Sequence, residues 1–376
     1  MFSPIPEILN ELRAGRMIVL VDAEDRENEG DLVLPAQFAT PDKINLMTRL
    51  AGGYLCLSLT PADCDRLHLH PMVGVNTTSR GTAFTVSIDG HPRHGVGTGA
   101  SAHDRAKTIS LAIDAKTTPE DFVRPGHVNP LRSREGGVLV RTGQTEGGVD
   151  LARLAGLHPS ALIIEIVRDD GQMARRPDLE ALCRAQGLKM CSIEQLIAFR
   201  LQRDRLVRRL APERGSMLRT PHGDFTLISY HSEVDPHPHL ALVLGGVGAL
   251  DASGRPIEHP EPTLVRMHRL NLLGDVFEDV SSSPEGPTSR ALRAAMTAIR
   301  REGRGAIVYL RSESMPSDQD VPSIPPNLRE YGIGSQILRD LGLHRLRLLT
   351  NHPKALPGLD AFALEIVEHV PLDLGA

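Results

Sequence analysis

From Asp22 to Asp31 the chain reads Asp-Ala-Glu-Asp-Arg-Glu-Asn-Glu-Gly-Asp, six carboxylates in ten residues. Like charges at this density repel, so Asp22, Glu24, Asp25, Glu27, Glu29 and Asp31 either meet a cation or share protons. Arg26 offsets one charge. The plain alternative is a solvated acidic turn. A second chemical signal is Glu165, set inside the apolar run 162–167. A carboxylate buried there without a partner is costly, and its proton affinity rises as an acid/base group requires; on a half-exposed strand the same residue would simply face water. A third is the turn Gly95-Val-Gly-Thr-Gly-Ala-Ser101 running into a helix, where free amides and the helix dipole favour an anion. Glycines of this kind more often serve a tight turn.

These residues need a scaffold. The aliphatic runs 17–21 and 32–34 flank the acidic segment and read as buried strands. Helices are expected over 4–15, from Pro41 to Gly52, and over 103–115, 149–155, 178–186 and 192–206, with strands over 54–59, 83–88 and 162–167. This alternation over roughly 200 residues indicates a mixed α/β or α+β layered domain. The arginine-rich span 200–214 reads as a helix end passing into a linker, so domains are expected at 1–205 and 216–376. The second resumes with strands at 224–230, 240–244, 306–310, 346–349 and 364–367, and helices at 288–301 and 334–341. Residues 312–326, rich in Ser and Pro, read as a flexible loop.

A chain of 376 residues is long enough for two cores, and 40% hydrophobic with 24% charged residues is ordinary for a soluble globular protein. A net charge of −5 argues against a general nucleic-acid binder. The longest apolar run, 240–250, is about half a membrane span, and the N-terminus lacks the pattern of a signal peptide. Cys56, Cys64, Cys183 and Cys191 form no CxxC pair. Reduced thiols in a cytoplasmic protein are expected.

The words Asp22 to Asp31, Arg124-Pro-Gly-His-Val128, Arg141-Thr-Gly-Gln-Thr-Glu146 and Asp169-Asp-Gly-Gln-Met-Ala-Arg175 together resemble the 3,4-dihydroxy-2-butanone 4-phosphate synthases. The resemblance covers residues 1 to about 205. It implies a layered α/β sandwich and a riboflavin-pathway lyase that converts ribulose 5-phosphate to 3,4-dihydroxy-2-butanone 4-phosphate and formate, using Mg²⁺ or Mn²⁺. Enolising a ketopentose phosphate is easier when a hard divalent ion spreads the enediolate charge over adjacent oxygens. By similarity Glu27 is a metal ligand, Arg26 and Asp31 touch substrate, and Asp31 transfers a proton. Cys56, His127 and Glu165 are the other catalytic candidates. Arg141, Thr142, Gly143, Gln144 and Thr145 resemble a phosphate grip of arginine fork, amides and hydroxyl, with Glu165 also facing substrate. Thr98 and Ser101 are weaker contacts. Where the family usually carries its second metal ligand, a histidine, this chain has Gln144. An amide oxygen can still ligate Mg²⁺ but is a weaker, neutral donor. The family also implies a homodimer.

The second half resembles GTP cyclohydrolase II, through Thr220-Pro-His-Gly-Asp-Phe225, Val265-Arg-Met-His268, Gly274-Asp-Val-Phe277 and Tyr331-Gly-Ile-Gly334. That family holds a zinc on three cysteines. Here Asn271 and residues within 281–284 stand at those positions, no cysteine follows Cys191, and neutral oxygens do not replace thiolates. A C-terminal α/β domain without zinc and without GTP turnover is expected. A bifunctional enzyme and a non-catalytic sugar-phosphate sensor are the other two readings.

Overall fold

The computed structural model describes residues 2–23, 26–78, 81–235, 237–311, 326–353 and 362–374. Glu24, Asp25 and the span read as a flexible loop, apart from Pro326, lie outside them. The chain divides into two compact units at Phe199/Arg200.

The first unit contains α1 (Ile5–Arg13), β1 (Ile18–Val21), β2 (Gly30–Pro35), α2 (Pro41–Ala51), β3 (Cys56–Leu59), α3 (Pro61–Arg66) and β4 (Ile88–Gly90). It continues with α4 (Ala102–Ile113), β5 (Phe122–Arg132), α5 (Gln144–Leu154), β6 (Ala161–Glu165), α6 (Arg176–Gln186), β7 (Met190–Ser192) and α7 (Ile193–Arg203), whose end crosses the division. Its mixed sheet has the order β4-β5-β3-β6-β2-β1-β7. Alternation sorts the side chains by face. Val19, Val21, Leu32, Leu34, Leu57, Leu59, Leu162 and Ile164 pack against Ile44 and Met47 of α2 and Ile109 of α4. The opposite face is covered by α5, which comes so close that a methyl on Gly147 would meet Leu20 and one on Gly148 would meet Ala161. The result is a sheet between two helical layers, as the strand and helix alternation implied.

Several boundaries moved. The strand expected over 83–88 is a pair of isolated bridges, at Phe84 and Thr85, before the short β4. Helix α5 starts at Gln144, five residues before its expected start. Its first five residues include two glycines, which suppress a helical signal in sequence. Residues 207–209, inside the span read as linker, form a strand.

That strand is β8 (Val207–Arg209) of the second unit, followed by β9 (Ser216–Thr220), β10 (Gly223–Ser232), β11 (His239–Leu244), β12 (Thr263–Arg269), α8 (Leu272–Val276), α9 (Thr288–Glu302), β13 (Gly305–Leu310), α10 (Pro326–Asp340), β14 (Arg345–Leu349) and β15 (Glu365–Val370). The sheet order is β15-β14-β12-β13-β11-β10-β8, with β9 beside β10. Helix α9 closes one face through Ala295, Met296 and Ile299, against Phe225, Leu242, Leu264 and Ile307. Strands β9 and β12 were not read from the sequence.

Candidate active site

Strand register brings the predicted residues of the first unit to one end of one face. Asp31 of β2 lies directly opposite Glu165 of β6, and Cys56 of β3 opposite Ile163, two residues from Glu165. Asn129 of β5 faces Cys56, and His127 lies two residues before it. Two-residue steps keep Asp31, Glu165, Cys56 and His127 on the side covered by α5. The N-terminus of α5 sits at the same end, since Gln144 Oε1 accepts a 2.9 Å bond from Arg26 Nη1 in the acidic loop.

The acidic loop is folded around Asp22, a residue given no individual role in the sequence reading. Its carboxylate accepts from Arg26 Nη1 (2.6 Å) and from the amides of Glu27 (3.1 Å) and Glu29 (2.8 Å). Arg26, which is buried, also reaches Glu27 Oε2 at 2.5 Å. Three oxygens, from Asp22, Glu27 and Gln144, therefore converge on one guanidinium nitrogen. Arg175, from the Asp169–Arg175 word, donates to the backbone oxygens of Glu27 and Asn28 and pins the loop from outside.

Asp31 is fully enclosed. Burial, and then the charges of Glu165, Glu27, Asp22 and Glu29, push its carboxyl well above the usual carboxylate range, so it keeps a proton that an exposed aspartate gives up. Glu165 is half-buried, not enclosed within the apolar run, and its Oε2 accepts from the Tyr54 amide at 2.7 Å. Of the two placements open to Glu165, buried or on a half-exposed strand, the second is found, and the enclosed carboxyl is Asp31. The Cys56 thiol is also pushed far up by burial and then by Glu165 and Asp31, which makes it a neutral group, not a thiolate nucleophile.

His127 is held by Asp89 of β4, through Nδ1 to Oδ2 at 2.7 Å and through its own amide to Oδ1 at 2.9 Å. Gly99, at φ +88°, lies so close that a Cβ there would fall 2.0 Å from Asp89 Oδ2. The glycine-rich turn thus supports the Asp89–His127 pair. It does not present a ready anion site: the amides of Gly97 and Gly99 are bonded to Asp104, and Ser101 caps α4 by accepting from the Asp104 amide. Among the described residues Thr98 makes no hydrogen bond. Asp89 carried no signal in the sequence.

The residues read as a phosphate grip surround the start of α5. Arg141, Thr142, Gln144 and Thr145 are buried, and Gly143 is the N-cap. Arg141 pairs with Glu146 at 2.6 Å and donates to Thr82 at 3.3 Å. Burial raises the Glu146 carboxyl, an effect Arg141 opposes. Gly143 is needed for the close approach, because a Cβ there would lie 2.2 Å from Arg141 Nη1.

In the second unit, Asn271 caps α8 through its Oδ1, which accepts from the Gly274 amide (3.0 Å), while its Nδ2 donates to the Ser282 carbonyl (3.3 Å). The neighbouring hub is Asp275. Burial opposes its ionisation, yet bonds from His268 (3.0 Å), Thr288 (2.6 Å), Tyr309 (2.7 Å) and the Asn271 amide (3.1 Å) hold its carboxyl well below the usual range. His268 also stacks on Tyr309. His239 pairs instead with Asp235 at 3.0 Å, so these histidines serve separate carboxylates. The word expected after β13 begins at Arg311 and continues outside the described residues. Among the described residues no group of three or more His, Cys, Asp or Glu is placed to hold a metal.

Comparison with known proteins supplies the class. The chain is 42% identical to the riboflavin biosynthesis protein RibBA of Aquifex aeolicus, over 99% of this chain and 93% of that protein. The Synechocystis RibBA is 44% identical over 99% of this chain and 68% of its own length. Among solved structures, that of the A. baumannii protein RibBX, described as a two domain 3,4-dihydroxy-2-butanone 4-phosphate synthase, matches with a TM-score of 0.79 and 35% identity, covering 99% of this chain and all of that one. A 3,4-dihydroxy-2-butanone 4-phosphate synthase in complex with two magnesium ions covers 54% of this chain at 40% identity and a TM-score of 0.52. The chain is therefore an enzyme of riboflavin biosynthesis, built from two parts. It belongs to the 3,4-dihydroxy-2-butanone 4-phosphate synthase family, which matches residues 6–199, and residues 213–371 match the GTP cyclohydrolase II family. The chain is a lyase, as the motifs of its first half implied.

Proposed function

We propose that D-ribulose 5-phosphate is converted to 3,4-dihydroxy-2-butanone 4-phosphate and formate at the sheet end that carries Asp31, Glu165, Cys56 and His127. The observation that carries this reading is the cross-strand pair Asp31–Glu165 beside the oxygen cage of Asp22, Glu27 and Gln144. The donors are hard oxygens already drawn together by a cation, which fits Mg²⁺ or Mn²⁺; two protein ligands suffice for an ion that keeps several waters. Glu27 and Gln144 would hold it, and it would supply charge stabilisation for the enediolate.

The protein's own groups do the rest. Asp31 exchanges a proton at the sugar carbons, protonated at rest by its burial. Glu165, fixed by the Tyr54 amide, is the proton acceptor. His127, aligned by Asp89, completes the set, and the neutral Cys56 thiol shapes the pocket wall. Arg26, Arg141, Thr142, Gly143 and Thr145 bind the phosphate and hydroxyls. Purified chain should release formate from ribulose 5-phosphate only with added Mg²⁺ or Mn²⁺. Glu27→Gln should lower the rate on the order of a hundredfold or more, the loss of a few kcal/mol of charge stabilisation. Metal-independent formate release would overturn the assignment.

The homodimer reading draws support from Tyr54, Met72, Val73 and Val75, all about half exposed or more. Tyr54 packs on Phe84, whose carbonyl accepts from the Met72 amide, so these apolar residues gather near Glu165. A cytoplasmic enzyme suits four buried, free thiols. No helix among the described residues is long and apolar enough to cross a membrane.

Residues 1–205 form the synthase domain in this reading, and 216–376 a cyclohydrolase-like domain without its chemistry. The Asn271 and Ser282 oxygens are engaged within the loop, and neutral oxygens do not fit zinc. The likeness over nearly the whole chain to RibBX, described as a two domain 3,4-dihydroxy-2-butanone 4-phosphate synthase, fits synthase activity in a two-domain chain. Elemental analysis should find well under one zinc per chain, and GTP should remain unopened. Stoichiometric zinc with GTP consumption would instead establish a bifunctional enzyme.

A further inference from the structure

The acidic loop contains its own occupant. Arg26 Nη1 stands 2.6 Å from Asp22 Oδ2, 2.5 Å from Glu27 Oε2 and 2.9 Å from Gln144 Oε1. Arg26 and Asp22 are buried, and Gln144 closes the cage from the first turn of α5. An oxygen at position 144 is what allows this: an amide carbonyl accepts from a guanidinium, as an anionic carboxylate does.

We propose that Arg26 is an intramolecular competitor for the divalent cation, filling the oxygen cage in the metal-free chain and leaving it when metal arrives. The proposal rests on the assignment of Glu27 and Gln144 as ligands. A cation of charge +2 on these same oxygens would stand only a few ångströms from the guanidinium nitrogen, and that like-charge repulsion opposes joint occupancy. Metal entry therefore favours Arg26 moving out. Once out, its fork is free to bind an anion, and the sugar phosphate is the anion the site receives. The released arginine links the two ligands: metal frees Arg26 for phosphate, and phosphate, by holding Arg26 outside, favours metal. This coupling is reciprocal by necessity. The device holds Asp22 and Glu27 together and offsets part of their charge when no metal is present.

The test is Mn²⁺ affinity measured by electron paramagnetic resonance on the full chain without sugar phosphate, which reads metal binding and not turnover. Arg26→Met should bind Mn²⁺ at least tenfold more tightly than the native chain. Arg175→Met removes the same unit charge from a residue touching the same loop but leaves the cage filled, and it should change affinity by threefold or less. Glu27→Gln should lose tight binding. Equal gains in Arg26→Met and Arg175→Met would show general electrostatics and overturn the proposal, as would unchanged or weaker binding in Arg26→Met. If Glu27→Gln binds as the native chain does, the ligand assignment itself is wrong. A second measurement uses D-ribitol 5-phosphate, which lacks the carbonyl needed for enolisation. It should tighten Mn²⁺ binding at least fivefold in the native chain, and no tightening would also overturn the proposal.

Discussion

Asp31→Asn is expected to give a chain that melts later and barely reacts. The buried carboxyl keeps its proton in the folded state to a pH well above the usual aspartate range. A raised folded pKa means that stability is full below the unfolded value of about 3.9 and declines as pH climbs toward the folded one. Asparagine cannot ionise and escapes that decline. With chelator present, the variant should match the native chain near pH 4 and exceed it at pH 7, by roughly 2–4 °C in melting temperature for each kcal/mol relieved. Formate release should fall about 10²–10⁴-fold, the usual worth of a positioned acid/base group. A variant that melts earlier at pH 7, or that turns over at the native rate, would remove Asp31 from the chemistry assigned to it.

The second large effect concerns the Arg141–Glu146 pair, 4% and 1% exposed in their side chains and joined at 2.6 Å. Arg141→Met leaves a buried carboxyl whose remaining bond is from the Arg134 amide at 3.0 Å. Breaking such a pair costs about 3–5 kcal/mol, whereas replacing both members costs much less. Urea unfolding should show this deficit at pH 7. Burial already raises the Glu146 carboxyl, and without Arg141 the largest opposing influence is gone, leaving only backbone amides, so the deficit should shrink as pH falls toward 4. Arg141→Met/Glu146→Gln should recover more than half of the loss at pH 7 while its KM for ribulose 5-phosphate stays high. A double variant as unstable as the single one would show that Arg141 acts through packing alone.

Much of this site could be read from residue types. Acidic residues between two aliphatic runs pointed to a loop whose charges meet a cation or share protons, and in the structure Asp22 and Glu27 meet Arg26. The layered fold followed from strand and helix alternation. What sequence does not print is which partner each group finds. Asp22 was one of six equivalent acids until its carboxylate was seen gathering two loop amides and Arg26. Asp89, a lone aspartate before a glycine, became legible only when β4 met β5 and set it against His127. The glycine-rich turn misled as an anion site because Asp104, seven residues beyond Gly97, returns to take the amides. For Glu165 the sequence left burial and a half-exposed strand both open, and only strand pairing showed that the enclosed carboxyl is Asp31.

The antiparallel ladder joining β2 and β6 also bears on how this enzyme can change over time. Because the two carboxylates oppose each other through backbone bonds, their spacing does not depend on the loops around them. Those loops can lengthen, shorten or exchange residues while the carboxylate pair stays in place. Sliding either strand by a single position would turn the pair toward Leu32 and Ile164's apolar side and empty the site at a stroke. Insertions and deletions are thus tolerable around this carboxylate pair, but not within its two strands.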